Sequence, residues 1–264
     1  MKYEETRYQV AVANRILAAF GLASELTASV GHASMRVPEA PDTFLIKGRG
    51  YELDILSELG PEDMVLCDLE GNKREAPEGV SQCYEVKMHS CIYRAFPDVQ
   101  SVVHAHPRFT ILMSVLDKRI RPMRNEGARL VQKEIPIYPH SKLILTDEDG
   151  SGVADTLRRH GKAALLKGHG AVTTGANLEE SVTSMVQLEE QAQLNAWAVS
   201  MVGLDHPYTP DALLAEAAAQ PPFWQVPHFN MAAPPARAPR GSSGFRGHGL
   251  WAYYVDKVSK NLKH

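Results

Sequence analysis

The residues most able to do chemistry begin at Val102-Val103-His104-Ala105-His106-Pro107. In an extended chain, side chains two apart share a face, so His104 and His106 project together at a spacing suited to one metal ion. That pair alone reads equally well as two half-buried polar residues beside a core strand. A third imidazole, His169, stands between Gly168 and Gly170 at the end of an apolar run. Glycines there allow a tight turn and close approach to an ion, although a turn that merely needs glycine has the same pattern. Three histidines with a free coordination position form the arrangement that catalytic metals use. Glu85 lies four residues before His89 on a stretch with helical spacing, which places both on one face. A carboxylate there can be a ligand or a general acid/base, and burial would raise its pKa toward neutrality.

A second group of polar residues precedes these. In Ser29-Val30-Gly31-His32-Ala33-Ser34-Met35-Arg36, strand alternation puts His32, Ser34 and Arg36 on one side. Phe44-Leu45-Ile46-Lys47-Gly48-Arg49-Gly50 then sets Lys47 and Arg49 among glycines. Exposed backbone N–H groups and fixed cations suit a small anionic substrate. A hairpin with solvated basic tips fits the same residues.

The elements that must hold these groups follow from apolar spacing. Val10, Ala13, Ile16, Leu17 and Phe20 predict a helix over 4–20, closed by Gly21. Short strands are predicted over 28–37, 43–47 and 64–69, and a helix over 81–96 that Pro97 stops. A buried strand over 101–106 leads into a helix opened by Pro107. Further strands are predicted over 134–138, 142–145 and 163–167, with a helix over 152–160 between the last two. Asn177 and Glu180 form a capping box for a long helix to about residue 201. The reading divides the chain into a catalytic domain over 1–203, a connector over 204–247 and a terminal helix over 248–264. Eight of the seventeen prolines lie between 207 and 239, so the connector is expected to be extended. The terminal helix carries Trp251 and Tyr254 on an apolar face, with Tyr253 beside them, and is expected at a subunit interface.

Composition narrows the function classes. The chain has 264 residues, 44% of them hydrophobic and 22% charged, enough for a sizeable core. A net charge of −3 leaves no basic excess for binding nucleic acid through phosphates. No apolar run reaches the roughly 18 residues of a membrane span. Three cysteines without a C-x-x-C pair, and an N-terminus without the apolar core of a signal peptide, are expected of a cytoplasmic protein.

The order and spacing of Gly31-His32-Ala33-Ser34-Met35-Arg36, Glu85-Val86-Lys87-Met88-His89, Val103-His104-Ala105-His106 and Leu166-Lys167-Gly168-His169-Gly170 resemble the class II aldolase/adducin family, over about residues 8–201. The resemblance implies a three-layer α/β/α sandwich around a mixed, mostly antiparallel sheet. It implies one divalent metal ion per subunit held by His104, His106 and His169, with Glu85 catalytic. Three imidazoles suit Mn²⁺, Zn²⁺, Fe²⁺ or Co²⁺ alike. It also implies a homo-oligomer, a tetramer or higher, with active sites at subunit interfaces.

Departures from the pattern bear on substrate. Sugar-phosphate aldolases of the family carry Gly-Asn-x-Ser where this chain has Gly31-His32-Ala33-Ser34, and Ser-Ser where Cys83-Tyr84 precede Glu85. Their Ser-Gly phosphate loop is replaced by Lys47-Gly48-Arg49-Gly50. The Gly-His-x-Ser-x-Arg form is similar to the family's decarboxylases of hydroxypyridine dicarboxylates and dihydroxyphthalates. That branch implies a carboxy-lyase in aromatic catabolism, with the metal stabilising an enolate oxygen as a Lewis acid. Glu85 would be general acid/base and His32 would orient a hydroxyl or shuttle a proton. Ser34, Arg36, Lys47, Arg49 and Tyr253 would bind the substrate. The alternative is an aldolase-type lyase cleaving a sugar phosphate or other hydroxy-carbonyl compound. A scaffold on the same fold, as in adducin, would be expected to have lost the histidines.

Overall fold

Helical spacing at Val10, Ala13, Ile16 and Leu17 buries one side of α1 (Glu4–Ala19), as the sequence predicts. In the computed structural model, which describes residues 2–50, 54–229, 246–260 and 262, that side packs on a nine-stranded mixed sheet. The strands are β1 (His32–Val37), β2 (Ala40–Arg49), β3 (Met64–Asp68), β4 (Lys73–Glu75), β5 (Ser81–Gln82), β6 (Ser101–Ala105), β7 (Ile137–Tyr138), β8 (Ala163–Leu166) and β9 (Gly170–Gly175). Their order is β4-β3-β2-β1-β6-β9-β8-β7, with β5 paired to β2. Every pairing is antiparallel except β7 with β8.

Alternation along the strands sends apolar side chains to two cores. On one face Ala33, Val103 and Ala105 meet α1, α3 (Arg108–Val115), α4 (Ala128–Gln132) and α6 (Leu178–Val202). On the other, Val102, Phe44 and Ile46 meet α2 (Val86–Ala95) and α5 (Asp147–Arg158). The result is a three-layer α/β/α sandwich around a mixed, mostly antiparallel sheet, as expected. Asn177 caps α6 by accepting from the Glu180 N–H, 2.8 Å away. Among the described residues no helix is long and apolar enough to cross a membrane.

Several elements differ from the sequence expectation. The 81–96 helix begins only at Val86, because Ser81 and Gln82 pair with β2 and Glu85 becomes the N-cap. Residues 142–145 form no strand, since the Ile144 N–H is taken by Glu85. The connector is not simply extended: α7 (Asp211–Ala219) forms there. Its run Ala-Leu-Leu-Ala-Glu-Ala-Ala-Ala has high helix propensity, which outweighs the flanking prolines. Residues 230–245 of the connector lie outside the described residues. The last helix, α8 (Arg246–Ser259), docks on α1 of its own chain. Trp251, Tyr254, Val255 and Val258 face the core there, and the Phe20 and Tyr254 ring centroids are 4.1 Å apart.

Candidate active site

The sheet brings the histidines together. His32 opens β1 and pairs directly with His104 of β6. Gly31 before it has φ +87°, and a Cβ there would lie 3.0 Å from the His104 carbonyl oxygen, so glycine is needed at this entry. His104 shares the α2/α5 face with Val102, and His106 follows just beyond the end of β6. The tight turn after β8 closes with the His169 N–H donating to Leu166 O. A Cβ on Gly170 would sit 2.4 Å from Ala105 O and 3.0 Å from His104 Cε1. The second glycine of Gly-His-Gly is therefore what lets His169 approach His104.

Glu85, His104, His106 and His169 each turn one donor atom toward a common point, all within 4.8 Å of one another. His104 Nε2 and His106 Nε2 are 2.9 Å apart. Glu85 Oε2 lies 3.4 Å from His104 Nε2, and Oε1 lies 3.5 Å from His169 Nε2. His104 Nδ1–H donates to Ala171 O at 2.9 Å, which leaves the Nε2 lone pair facing the cluster. Both His169 ring nitrogens are buried with no hydrogen-bond partner. Burial, then the neighbouring His104 and His169, push the His106 imidazole down to about 2, so it is neutral, the form that binds metal. Three converging imidazoles, one of them otherwise orphaned, fit a divalent cation.

Glu85 sits among these rings. Burial acts to raise its pKa, but the surrounding His104, His169 and His32 imidazoles outweigh it and hold the carboxyl well below the usual range. It is a carboxylate, fixed further by the Ile144 N–H donating to Oε1 at 3.0 Å.

Beside Glu85 a buried polar chain runs into the α2/β1 layer. His32 Nε2 faces Glu85 Oε2 at 3.8 Å. His32 Nδ1 is 2.7 Å from His89 Nε2, His89 Nδ1 is 2.6 Å from Ser34 Oγ, and Ser34 Oγ is 2.8 Å from the Tyr93 hydroxyl. Burial pushes His32 down to about 4, against the pull of Glu85, and pushes His89 well below its ordinary value. His89 and Tyr93 were not among the site residues expected from sequence. The signal available was their i, i+4 spacing after Glu85, which carries all three down one side of α2.

The expected substrate-binding residues fall in different places. Ser34 is wholly buried between His89 and Tyr93. Arg36 is buried. Its guanidinium donates to the carbonyls of Pro41, Tyr93 and Val99 and lies over the Tyr93 ring. Lys47, with a side chain 0% exposed, donates to Ser29 O and Asp54. Burial lowers its pKa, against the hydrogen bond and charge of Asp54. Arg49 also pairs with Asp54, but its side chain is 24% exposed, it lies over the Tyr84 ring, and its buried Nε has no partner. Tyr253 is 57% exposed on α8, on the opposite layer from Glu85 in the same chain.

Similarity to known proteins shows the family. The family model of the class II aldolase and adducin N-terminal domain matches residues 8–196. A 3,4-dihydroxyphthalate decarboxylase from Arthrobacter keyseri is 30% identical over 75% of this chain and 80% of its own. An L-fuculose phosphate aldolase from Methanococcus maripaludis is 30% identical over 53% of this chain and 73% of its own. The crystal structure of an aldolase II superfamily protein from Pseudomonas syringae superposes with a TM-score of 0.76 at 21% identity, covering 98% of this chain and 93% of that one. The chain belongs to the class II aldolase and adducin family, among its carbon–carbon lyases.

Proposed function

We propose that this protein is a metal-dependent decarboxylase of a hydroxylated aromatic carboxylate or dicarboxylate. The observation that carries the reading is Arg49. Its Nε is a buried donor without a partner, its guanidinium stacks on Tyr84, and Tyr84 adjoins Glu85. A planar, partly accessible guanidinium is matched by a carboxylate, and an aromatic wall beside it is matched by a flat ring. The similarity to decarboxylases over three quarters of the chain supports the same reading.

His104, His106 and His169 would hold one divalent ion, Mn²⁺, Zn²⁺, Fe²⁺ or Co²⁺, with Glu85 at its edge. Such an ion supplies Lewis acidity toward a phenolic or carbonyl oxygen. Glu85, held as a carboxylate, takes the proton of the ring hydroxyl and returns it to the carbon bearing the departing carboxylate. Carbon dioxide then leaves, its bonding electrons return to the ring, and solvent reprotonates the oxygen. His32 hydrogen-bonds the substrate beside Glu85, and Arg49 holds a carboxylate that stays.

The proposal includes a homo-oligomer, tetrameric or higher, with sites at its interfaces. It is supported by Trp197, Met201 and Val202, which stand exposed at the end of α6. A cytoplasmic setting is supported by three buried free thiols.

The test is a product assay of the metal-loaded enzyme on hydroxylated aromatic dicarboxylates and on fuculose phosphate. Carbon dioxide release, with KM raised at least tenfold in Arg49→Ala, is the expected result. Aldehyde release from the sugar phosphate alone would replace this reading with the aldolase one.

A further inference from the structure

The chain of contacts from Tyr93 to Glu85 has a direction. Tyr93, Ser34, His89 and His32 are all buried, so each polar hydrogen among them needs an acceptor within the chain. Among the described residues the side-chain partner of the Tyr93 phenol is Ser34 Oγ, 2.8 Å away. The phenol proton must go to Ser34, since otherwise it is buried without an acceptor at a cost of about 1–3 kcal/mol. A hydroxyl has one proton, so Ser34 gives its own to His89 Nδ1. His89 then carries its proton on Nε2 and gives it to His32 Nδ1. His32 is left protonated on Nε2, the nitrogen that faces Glu85.

The far end favours the same direction. If the chain ran backwards, His32 would turn a bare Nε2 lone pair toward the Glu85 carboxylate, an acceptor facing an acceptor. Arg36 contributes at the origin. It binds the Tyr93 carbonyl and covers the Tyr93 ring, which holds the phenol at Ser34.

We propose that Tyr93, Ser34 and His89 are positioning residues that fix His32 in its Nε2–H tautomer, making it a hydrogen-bond donor into the active site. His32 therefore cannot serve as a base at Nε2; it donates to the substrate oxygen beside Glu85. This deepens the decarboxylase reading and rests on it for the identity of that substrate, whereas the tautomer itself does not.

Neutron diffraction on the full-length, zinc-loaded protein tests the tautomer without any assay. Deuterium is expected on Nε2 of both His32 and His89, with Ser34 Oγ–D pointing at His89 Nδ1. Deuterium on His32 Nδ1, or on both nitrogens of either ring, would overturn the proposal. Kinetics of two variants then read the role. His89→Leu is expected to lower kcat about 10–100-fold with KM little changed, as loss of a residue that orients a catalytic group does. His89→Gln, whose amide N–H can reach His32 while its carbonyl accepts from Ser34, is expected to recover most of that loss. Equal losses in two variants with wild-type melting curves would contradict the positioning role. Failure of the substrate reading would appear only as absent decarboxylation, with the deuterium positions unaltered.

Discussion

His169 separates metal binding from folding. Its ring nitrogens have no hydrogen-bond partner, so removing the ring breaks no internal bond. We expect His169→Ala to lose bound metal while keeping its circular dichroism spectrum, and His104→Ala and His106→Ala to lose it as well. Stoichiometric metal in a purified variant would remove that residue from the ligand set. Glu85→Gln keeps its place through the Ile144 N–H and is expected to retain metal with kcat lowered roughly 10²–10⁴-fold, the weight of a general acid/base. Near-wild-type turnover would exclude Glu85 from the chemistry, and lost metal would make it a ligand. The gathering of His104, His106, His169 and Glu85 was legible because strand alternation and a glycine-flanked turn are local patterns. Arg36, Ser34 and Lys47 read from sequence as substrate contacts because sequence shows a cation or hydroxyl but not its partners. Those partners are the carbonyls of Pro41, Tyr93 and Val99, the rings of His89 and Tyr93, and Asp54.

Elements bring these residues into register, and two contacts between elements can be tested. The approach of β9 to β6 depends on Gly170, where a methyl would meet the Ala105 carbonyl. Gly170→Ala is expected to cost about 1–3 kcal/mol in denaturant unfolding and to weaken metal binding, because the chain must shift at His104 and His169. An unchanged midpoint would show that the turn relaxes freely. Between α2 and α5, Asp147 at the start of α5 pairs with Lys87 and Arg94. Hydrogen bonds from those two cations pull its pKa down to about 2, below the unfolded value. Its contribution is therefore present above about pH 4 and is lost as pH falls toward 2. The Asp147 side chain is 54% exposed, so the effect is small and screened by salt. Asp147→Asn should flatten the acid limb of the Tm–pH profile between pH 4 and 2 at low ionic strength, and an unchanged limb would assign it to other carboxylates. The long helices α1 and α6 were readable from their apolar period. β5 was not predicted because two residues give too little pattern, and β9 because its short Gly-Ala-Val-Thr-Thr-Gly run carries turn-forming glycines at both ends.

Across the whole molecule, the sheet separates two tasks. The α2/α5 face holds the histidines and Glu85, and the α1/α6 face receives α8. Tail and site therefore lie on different layers of one chain. Truncation after Gly203 uncovers the apolar face of α1, and we expect a lower Tm with metal stoichiometry unchanged. Loss of metal on truncation would contradict the separation of layers. Sequence gave the three layers through family resemblance, but not where α8 docks, because an amphipathic helix shows that it packs without showing against what. The proposed decarboxylation depends on a metal held by three histidines. Its most direct test is carbon dioxide release from a carboxyl-¹³C hydroxyphthalate, measured before chelation, after it, and after adding back one divalent ion per chain. We expect labelled carbon dioxide from the native enzyme, none after chelation, and recovery on reconstitution. Release that persists without metal, or a reconstituted enzyme that yields aldehyde from a sugar phosphate and no carbon dioxide, would contradict it.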